Sequence, residues 1–258
     1  MSEILKIQNI SKSFGGILAL KDVSITVETG EVVAVIGPNG SGKTTLLNVI
    51  TGVYTPEQGE ITLDGRRIER LNPTDICIAG ISRTFQNVRL FKGLSVLDNV
   101  LIGHHHRFRS GLGRVLGKTK TFRQEEANYR DEALELLDRV GLAGKEKLVS
   151  QSLPYAQQRL LEIARALATR PQILLLDEPA AGMNSTEIAH LDGLIKTLRD
   201  SGLTIILIEH IMDLVRGVTD RVEVLSYGEK IASGSFEEIE RNPVVIEAYL
   251  GKGAAQSC

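Results

Sequence analysis

Short apolar runs set off by glycine turns fill the chain as far as Gly65, and helically spaced apolar positions fill its middle. Residues 4–10 alternate well enough for a strand, and 12–16 read as a turn. Residues 23–28 alternate strictly and predict a half-exposed strand. Glu28-Thr29-Gly30-Glu31 then predicts a hairpin turn into the next strand. Residues 31–36 are nearly all apolar, as a buried strand requires, and 44–50 open a helix with apolar residues on one side. A turn at 55–59, a strand and turn at 60–65 and a short strand at 80–86 ending in Gln86 follow.

From residue 87 to 150 the composition changes. Residues 96–102 are helical in pattern, and 125–140 form an amphipathic helix with Ala133, Leu137 and Val140 at i, i+4 and i+7. Between them, 104–121 is basic, glycine-rich and without period, which predicts a loop. A strong helix at 159–169 stops before Pro171. The apolar run 173–176 reads as a buried parallel strand ending in Asp177-Glu178. A helix at 187–200 turns Leu191, Leu194, Ile195 and Leu198 inward and ends at Ser201-Gly202. A second buried strand, 203–208, ends at Glu209-His210. A hairpin about Tyr227-Gly228 and short helices at 236–241 and 243–250 close the chain.

This order predicts an α/β fold. Segments 1–86 and 151–258 carry a parallel-sheet core plus an antiparallel β subdomain, and 87–150 is an inserted α-helical subdomain. Composition changes the picture little. Among 258 residues, 42% are hydrophobic and 24% charged, an ordinary globular balance. The formal net charge of −2 gives no sign of a nucleic-acid surface. No apolar run approaches the roughly 18 residues of a membrane span, and residues 1–10 lack the marks of a signal peptide. Two cysteines, Cys77 and Cys258, fit a reducing compartment.

The chemistry gathers at Gly37-Pro38-Asn39-Gly40-Ser41-Gly42-Lys43-Thr44, which satisfies G-x-x-x-x-G-K-[ST] between a strand and a helix. Glycines there let backbone N–H groups turn around an anion, and the helix N-terminus adds partial positive charge. Lys43 would reach β- and γ-phosphates, and the Thr44 hydroxyl would take a Mg²⁺ position; this is the core of a P-loop NTPase. Asp177 and Glu178 stand at a strand's carboxyl end, where open α/β sheets bind ligands. Asp177 is placed to hold Mg²⁺ through water, and Glu178 to polarise an attacking water. Gln86 is placed to bind Mg²⁺ or orient that water, and His210 to reach a γ-phosphate. Phe14 is either a core residue or a flat surface for a purine ring. His104-His105-His106 cannot all face one ion on a helix and read as a solvated run.

In this order the residues resemble the nucleotide-binding subunit of ATP-binding-cassette (ABC) transporters, across nearly the whole chain. The motifs are the phosphate loop at 37–44, Gln86, a signature stretch at 153–157, the Walker B strand at 173–178, then His210. The resemblance implies that Phe14 stacks on adenine, that residues 39–45, Thr45 included, cradle ATP, that Glu178 is the general base, and that His210 senses the γ-phosphate. It implies that Pro154, Tyr155, Ala156 and Gln157 contact the nucleotide of a second such subunit. The family's usual signature is L-S-G-G-Q. Pro154 replaces its serine and has neither hydroxyl nor N–H; Ala156 replaces its second glycine and restricts positive φ. Asn184 replaces the usual aspartate after Walker B.

Residues 82–91, 180–184 and 242–251 resemble the branched-chain amino-acid importers, and the 104–121 loop the longer of that system's two ATPase subunits. Partners implied are a second ATPase subunit, transmembrane permeases and, indirectly, a solute-binding protein, with no nucleic acid, at the cytoplasmic face of the membrane. Other members of the family are soluble ATPases acting on DNA or ribosomes. The roughly 65 residues between Gln86 and the signature hold no sustained heptads, unlike the coiled-coil DNA relatives. An exporter ATPase, such as that of lipopolysaccharide transport, shares the architecture; the ending at 242–251 and the long loop favour import.

Overall fold

The computed structural model describes residues 2–105 and 120–250. The first two strands, β1 (Glu3–Phe14) and β2 (Ile17–Glu28), pair antiparallel and run further than the alternation predicts. Lys12 and Ser13 stay in the ladder opposite Leu20 and Leu18, and Gly15-Gly16, both at positive φ, reverse the chain. With β4 (Gln58–Leu63) and β5 (Arg66–Arg67) they form a sheet of order β2-β1-β4-β5.

The hairpin expected at 28–31 is corrected by the structure. β2 does not pair with β3 (Val32–Ile36); the chain crosses there from one sheet to the other. All five residues of β3 are buried, so it suits the middle of a parallel sheet, whereas the alternating β2 suits a sheet with one wet face. The second sheet contains β6 (Ile81–Arg83), β7 (Ile173–Asp177), β8 (Thr204–Ile208), β9 (Arg221–Ser226) and β10 (Glu229–Gly234). Its order is β10-β9-β3-β8-β7-β6, parallel except for the β10 edge.

Helix α1 (Lys43–Ile50) lies between the two sheets. Its Leu46, Leu47, Val49 and Ile50 share a core with Val33, Val35, Leu175 and Ile206 of one sheet and Leu5, Ile7, Ile25 and Ile61 of the other. A short α2 (Pro73–Ala79) was not expected: it buries only Ile76, so no periodicity marks it, although Asn72 caps it and Pro73 opens it.

The opposite face of the parallel sheet, with Leu174, Leu176, Ile205 and Leu207, packs against α3 (Val96–Gly103), α4 (Lys120–Arg139), α5 (Tyr155–Leu167) and α6 (Ser185–Asp200). Ala133, Leu137 and Val140 are all fully buried there, as their spacing requires. α5 begins ahead of the expected 159, at Tyr155, with Pro154 at its N-cap. At the β9 side, α7 (Met212–Val218), α8 (Phe236–Glu240) and α9 (Pro243–Leu250) supply Val215, Phe236, Ile239 and Val245 to a third core over Ala34, Ile36, Val222 and Val224.

The solvated reading of the three histidines fails for His104. It is fully buried and stacks on Tyr129 of α4 with ring centroids 4.9 Å apart. His106, most of the expected 104–121 loop and Cys258 lie outside the described residues.

Candidate nucleotide site

Four parallel strands deliver their carboxyl ends to one edge. β3 leads to Gly37, β6 to Gln86, β7 to Asp177-Glu178 and β8 to Glu209-His210; Asp177 is level with Ile208, and Ile208 with Val35. This is the edge at which α/β sheets take ligands.

The loop 37–44 is held shut by its own glycines. Gly37 has φ 151°, and a Cβ there would lie 2.0 Å from the Leu225 carbonyl oxygen. Gly42 has φ 105°, and a Cβ there would lie 2.6 Å from the Ala19 carbonyl oxygen. No side chain fits at either place. The loop is stitched to the rest of the fold where Gly228 N–H donates to the Ser41 carbonyl at 3.0 Å and Lys21 N–H donates to the Gly228 carbonyl at 2.8 Å. Ser41 is buried, whereas Asn39, Gly40 and Thr44 are exposed and Thr45 half-buried. The first-turn amides of α1 lack intrahelical acceptors and face the loop's mouth, an arrangement suited to an anion.

Lys43 Nζ donates to the carbonyls of Gly37 at 2.7 Å and Pro38 at 2.9 Å. Partial burial lowers its pKa from the ordinary lysine value, against the opposing pull of Glu178 and Asp177. A half-buried cation that leans on loop carbonyls can turn to a phosphate with little loss.

Asp177 is buried at 2% exposure and accepts a hydrogen bond from Arg83 Nη2 at 2.7 Å. Arg83 Nη1 donates to Asn48 Oδ1, also at 2.7 Å, which ties β6 and β7 to α1. Glu178 follows at φ 47°, a left-handed conformation rare outside glycine, with its N–H donating to the Ile208 carbonyl at 2.9 Å. Gln86 is exposed, and its Nε2 donates to Glu178 Oε2 at 3.0 Å. The fold thus brings Gln86, Asp177, Glu178 and Lys43 to one place. Among the described residues no cluster of three or more His, Cys, Asp and Glu forms a metal cage; Thr44, Asp177 and the Gln86 amide oxygen are the side chains suited to a hydrated Mg²⁺ that a nucleotide also holds.

His210 is 64% exposed in its side chain, and its Nδ1 lies 3.8 Å from Glu209 Oε2. Glu209 itself was not foreseen. It is 1% exposed and accepts hydrogen bonds from the N–H groups of Ala180 at 2.8 Å and His210 at 2.9 Å. One carboxylate therefore fixes both the loop after Glu178 and the backbone at His210. The signal in the sequence was an acid ending a buried apolar strand, the same signal that marked Asp177-Glu178.

Profile comparison matches residues 20–181 to the ABC transporter family. The chain belongs to that family. As an ABC cassette it has the P-loop NTPase fold, binds nucleotide and is an ATPase. Residues 229–255 also match the description "Branched-chain amino acid ATP-binding cassette transporter". Curated relatives include the high-affinity branched-chain amino acid transport ATP-binding protein LivG of Salmonella typhimurium, 45% identical over 250 residues, 96% of this chain and 98% of that protein. BraF of Pseudomonas aeruginosa, with the same description, is 44% identical over 96% of this chain and 98% of its own length. Among solved structures, an ABC transporter cassette in its ADP conformation superposes with TM-score 0.85 at 35% identity, over 98% of this chain and all of the other.

The remaining expected residues of the cassette lie on two surfaces. Phe14 is 41% exposed and sits edge-on to Tyr54 with centroids 5.0 Å apart, so it is not a core residue. The signature stretch forms the N-terminus of α5. Pro154 and Tyr155 are exposed, Ala156 is buried, and Gln157 Oε1 accepts from Lys145 Nζ at 2.7 Å. Ala156 is helical without positive φ, so alanine carries no strain there. Pro154 removes its own N–H yet leaves the first-turn amides of α5 presented. Asn184 spends its side chain as the N-cap of α6, accepting from Glu187 N–H at 3.0 Å.

Proposed function

We propose that this ABC ATPase powers import of branched-chain amino acids. The convergence of Lys43, Asp177 and the hydrogen-bonded Gln86–Glu178 pair on one sheet edge carries the hydrolytic part of the reading. The likeness of nearly the whole chain to LivG and BraF, and of its C-terminal segment to the branched-chain profile, supports the solute class.

In this reading ATP lies with its base on Phe14 and its phosphates on residues 39–45. Thr44, Asp177 and Gln86 would hold Mg²⁺, which when bound would supply charge neutralisation at the phosphates. Glu178 accepts a proton from water as the water oxygen bonds to the γ-phosphorus; the bond to the β-phosphate oxygen breaks, and ADP leaves. Lys43 and the loop amides hold the charge on the transferred group, so the protein contributes positioning and electrostatics. His210 touches the γ-phosphate, and the 154–157 stretch of a second cassette closes the site.

The permeases dock beside a groove of about 470 Å³ bounded by Val53, Cys77, Phe85, Phe91 and Ile102. Phe91 and Val53 are each 49% exposed there. Leu90 is packed on the helical core, and Val88 is half-buried. Among the described residues no helix is long and apolar enough to cross a membrane, so contact with permeases is the attachment this reading calls for at the cytoplasmic face.

Glu178→Gln tests the reading. It keeps the Gln86 hydrogen bond and removes the base, so turnover is expected to fall by orders of magnitude while ATP-bound dimers accumulate on gel filtration. Normal hydrolysis by this variant removes Glu178 from the role. Reconstitution with its permeases and binding protein, followed by uptake of labelled leucine against labelled histidine or sugar, tests the solute.

A further inference from the structure

Residues 84–95 run from β6 to α3 without a regular element, yet Gln86 within them holds Glu178. Something outside the segment must fix it. Asn99 and Ser150 hold its later part at Phe91, and around Gln86 the fixing groups come from one turn of α5. Arg159 is 2% exposed; its Nη1 donates to the Phe85 carbonyl at 2.6 Å and its Nη2 to the Gln86 carbonyl. Three residues on, Glu162, 1% exposed, accepts from the Arg89 N–H at 3.2 Å. The Arg159 guanidinium also lies 5.3 Å from the centre of the Tyr155 ring. That ring in turn faces the loop after Glu178: a Cβ on Gly182 would lie 3.3 Å from it.

A planar fork on two successive carbonyls sets the direction of the backbone between them as a single point contact does not. We infer that Arg159 is a positioning residue: it orients Gln86, and through Gln86 the Glu178 carboxylate, linking the Tyr155 end of α5 to the hydrolytic edge. The inference rests on the reading of Glu178 as the base. Arg159 touches no reacting atom. Its burial beside Glu162, 3.9 Å away, also gives it a part in packing, so the test must separate positioning from stability.

Arg159→Lys does so, because it keeps a cation beside Glu162 and loses the fork. In the full-length protein with MgATP, kcat is expected to fall about tenfold, the loss of one charge-assisted hydrogen bond, with KM changed less than twofold. In a Gln86→Ala background the same change is expected to have no further effect on kcat. If the lysine variant folds poorly, Arg159→Gln with Glu162→Gln removes both charges together and is read in the same two backgrounds. Unchanged kcat, equal losses with and without Gln86, or a loss that follows the thermal midpoint rather than kcat overturns the inference. Glu178→Gln is run beside them. If it hydrolyses ATP normally, the base reading falls and takes this inference with it; if it is inactive while Arg159→Lys matches wild type, the inference about Arg159 alone falls.

Discussion

Replacing Arg83 by methionine keeps most of the side chain's length and deletes the cation beside Asp177. The two side chains are 6% and 3% exposed and meet at 2.7 Å. Without Arg83, the carboxylate stays desolvated with no paired charge, a change that costs about 3–5 kcal/mol when one partner of a buried ion pair is removed. Loss of the Asn48 contact adds about 1 kcal/mol. In a domain of this size each kcal/mol moves the thermal midpoint by about 2–4 °C, so a drop of about 8–24 °C is expected by calorimetry of the nucleotide-free protein. The second half of the experiment is Arg83→Met with Asp177→Asn. Removing both charges leaves no stranded ion, and the double variant should recover more than half of the lost stability, giving a coupling of about 2 kcal/mol or more in the cycle. A loss below about 1 kcal/mol for the single variant, or simple additivity in the cycle, would refute the claim that Arg83 holds Asp177 in a dry setting.

Gly37→Ala should be worse for binding than for global stability, since its Cβ would meet the Leu225 carbonyl oxygen at 2.0 Å and force the loop open; loss of the ATP-induced thermal shift is expected, and a wild-type shift would contradict the geometry. Glu223 is wholly buried beside Arg221 and Lys230, yet burial outweighs these cations and raises its pKa above the ordinary 4.5. The protonated form is thus favoured by folding. Its stabilising effect is complete below pH 4.5 and is lost as pH rises through the raised folded value. Glu223→Gln mimics the protonated form, so its stability from mildly acidic to neutral pH should be flatter than wild type by urea melts; parallel profiles would dismiss the effect.

The residues proposed to carry the chemistry have local signals in the sequence. Gly37–Thr44 is a contiguous motif, and Asp177-Glu178 ends an apolar run that can only be a buried strand. The residues that orient them have none. Arg83 and Asp177 are 94 apart in the chain, and Arg159 and Phe85 are 74 apart. On paper each arginine looks like any solvated charge, and only the sheet order shows what it faces. The crossing at Gly30 was missed for a related reason: a glycine turn between two strands fits a hairpin or a change of sheets equally well, and the choice lies with β8 and β9, which arrive only near the end of the chain to flank β3. His104 was misread because a polar run ends where α4 happens to lay Tyr129 over it.

The proposed hydrolytic edge depends on a conformation that its own residue disfavours. Glu178 at φ 47° carries a backbone cost of about 1–3 kcal/mol, which persists only where the surroundings over-determine it. Here the constraints can be named. The Glu178 N–H is tied to the Ile208 carbonyl, its carboxylate to Gln86, and the next loop to Glu209 through Ala180. Strands β6 and β8 supply these ties, and both are fixed by apolar packing of the sheet. A conformation held at three points is weakened when one tie is loosened and lost when two are. Ala180 and His210 donate to different oxygens of Glu209, so Glu209→Gln keeps an acceptor for only one of them and loses the other tie. Its kcat should therefore fall for the single variant, and by more than the sum of the separate losses when it is combined with Gln86→Ala. Simple addition in kcat would mean that Glu178 is held by its own strand and needs neither neighbour.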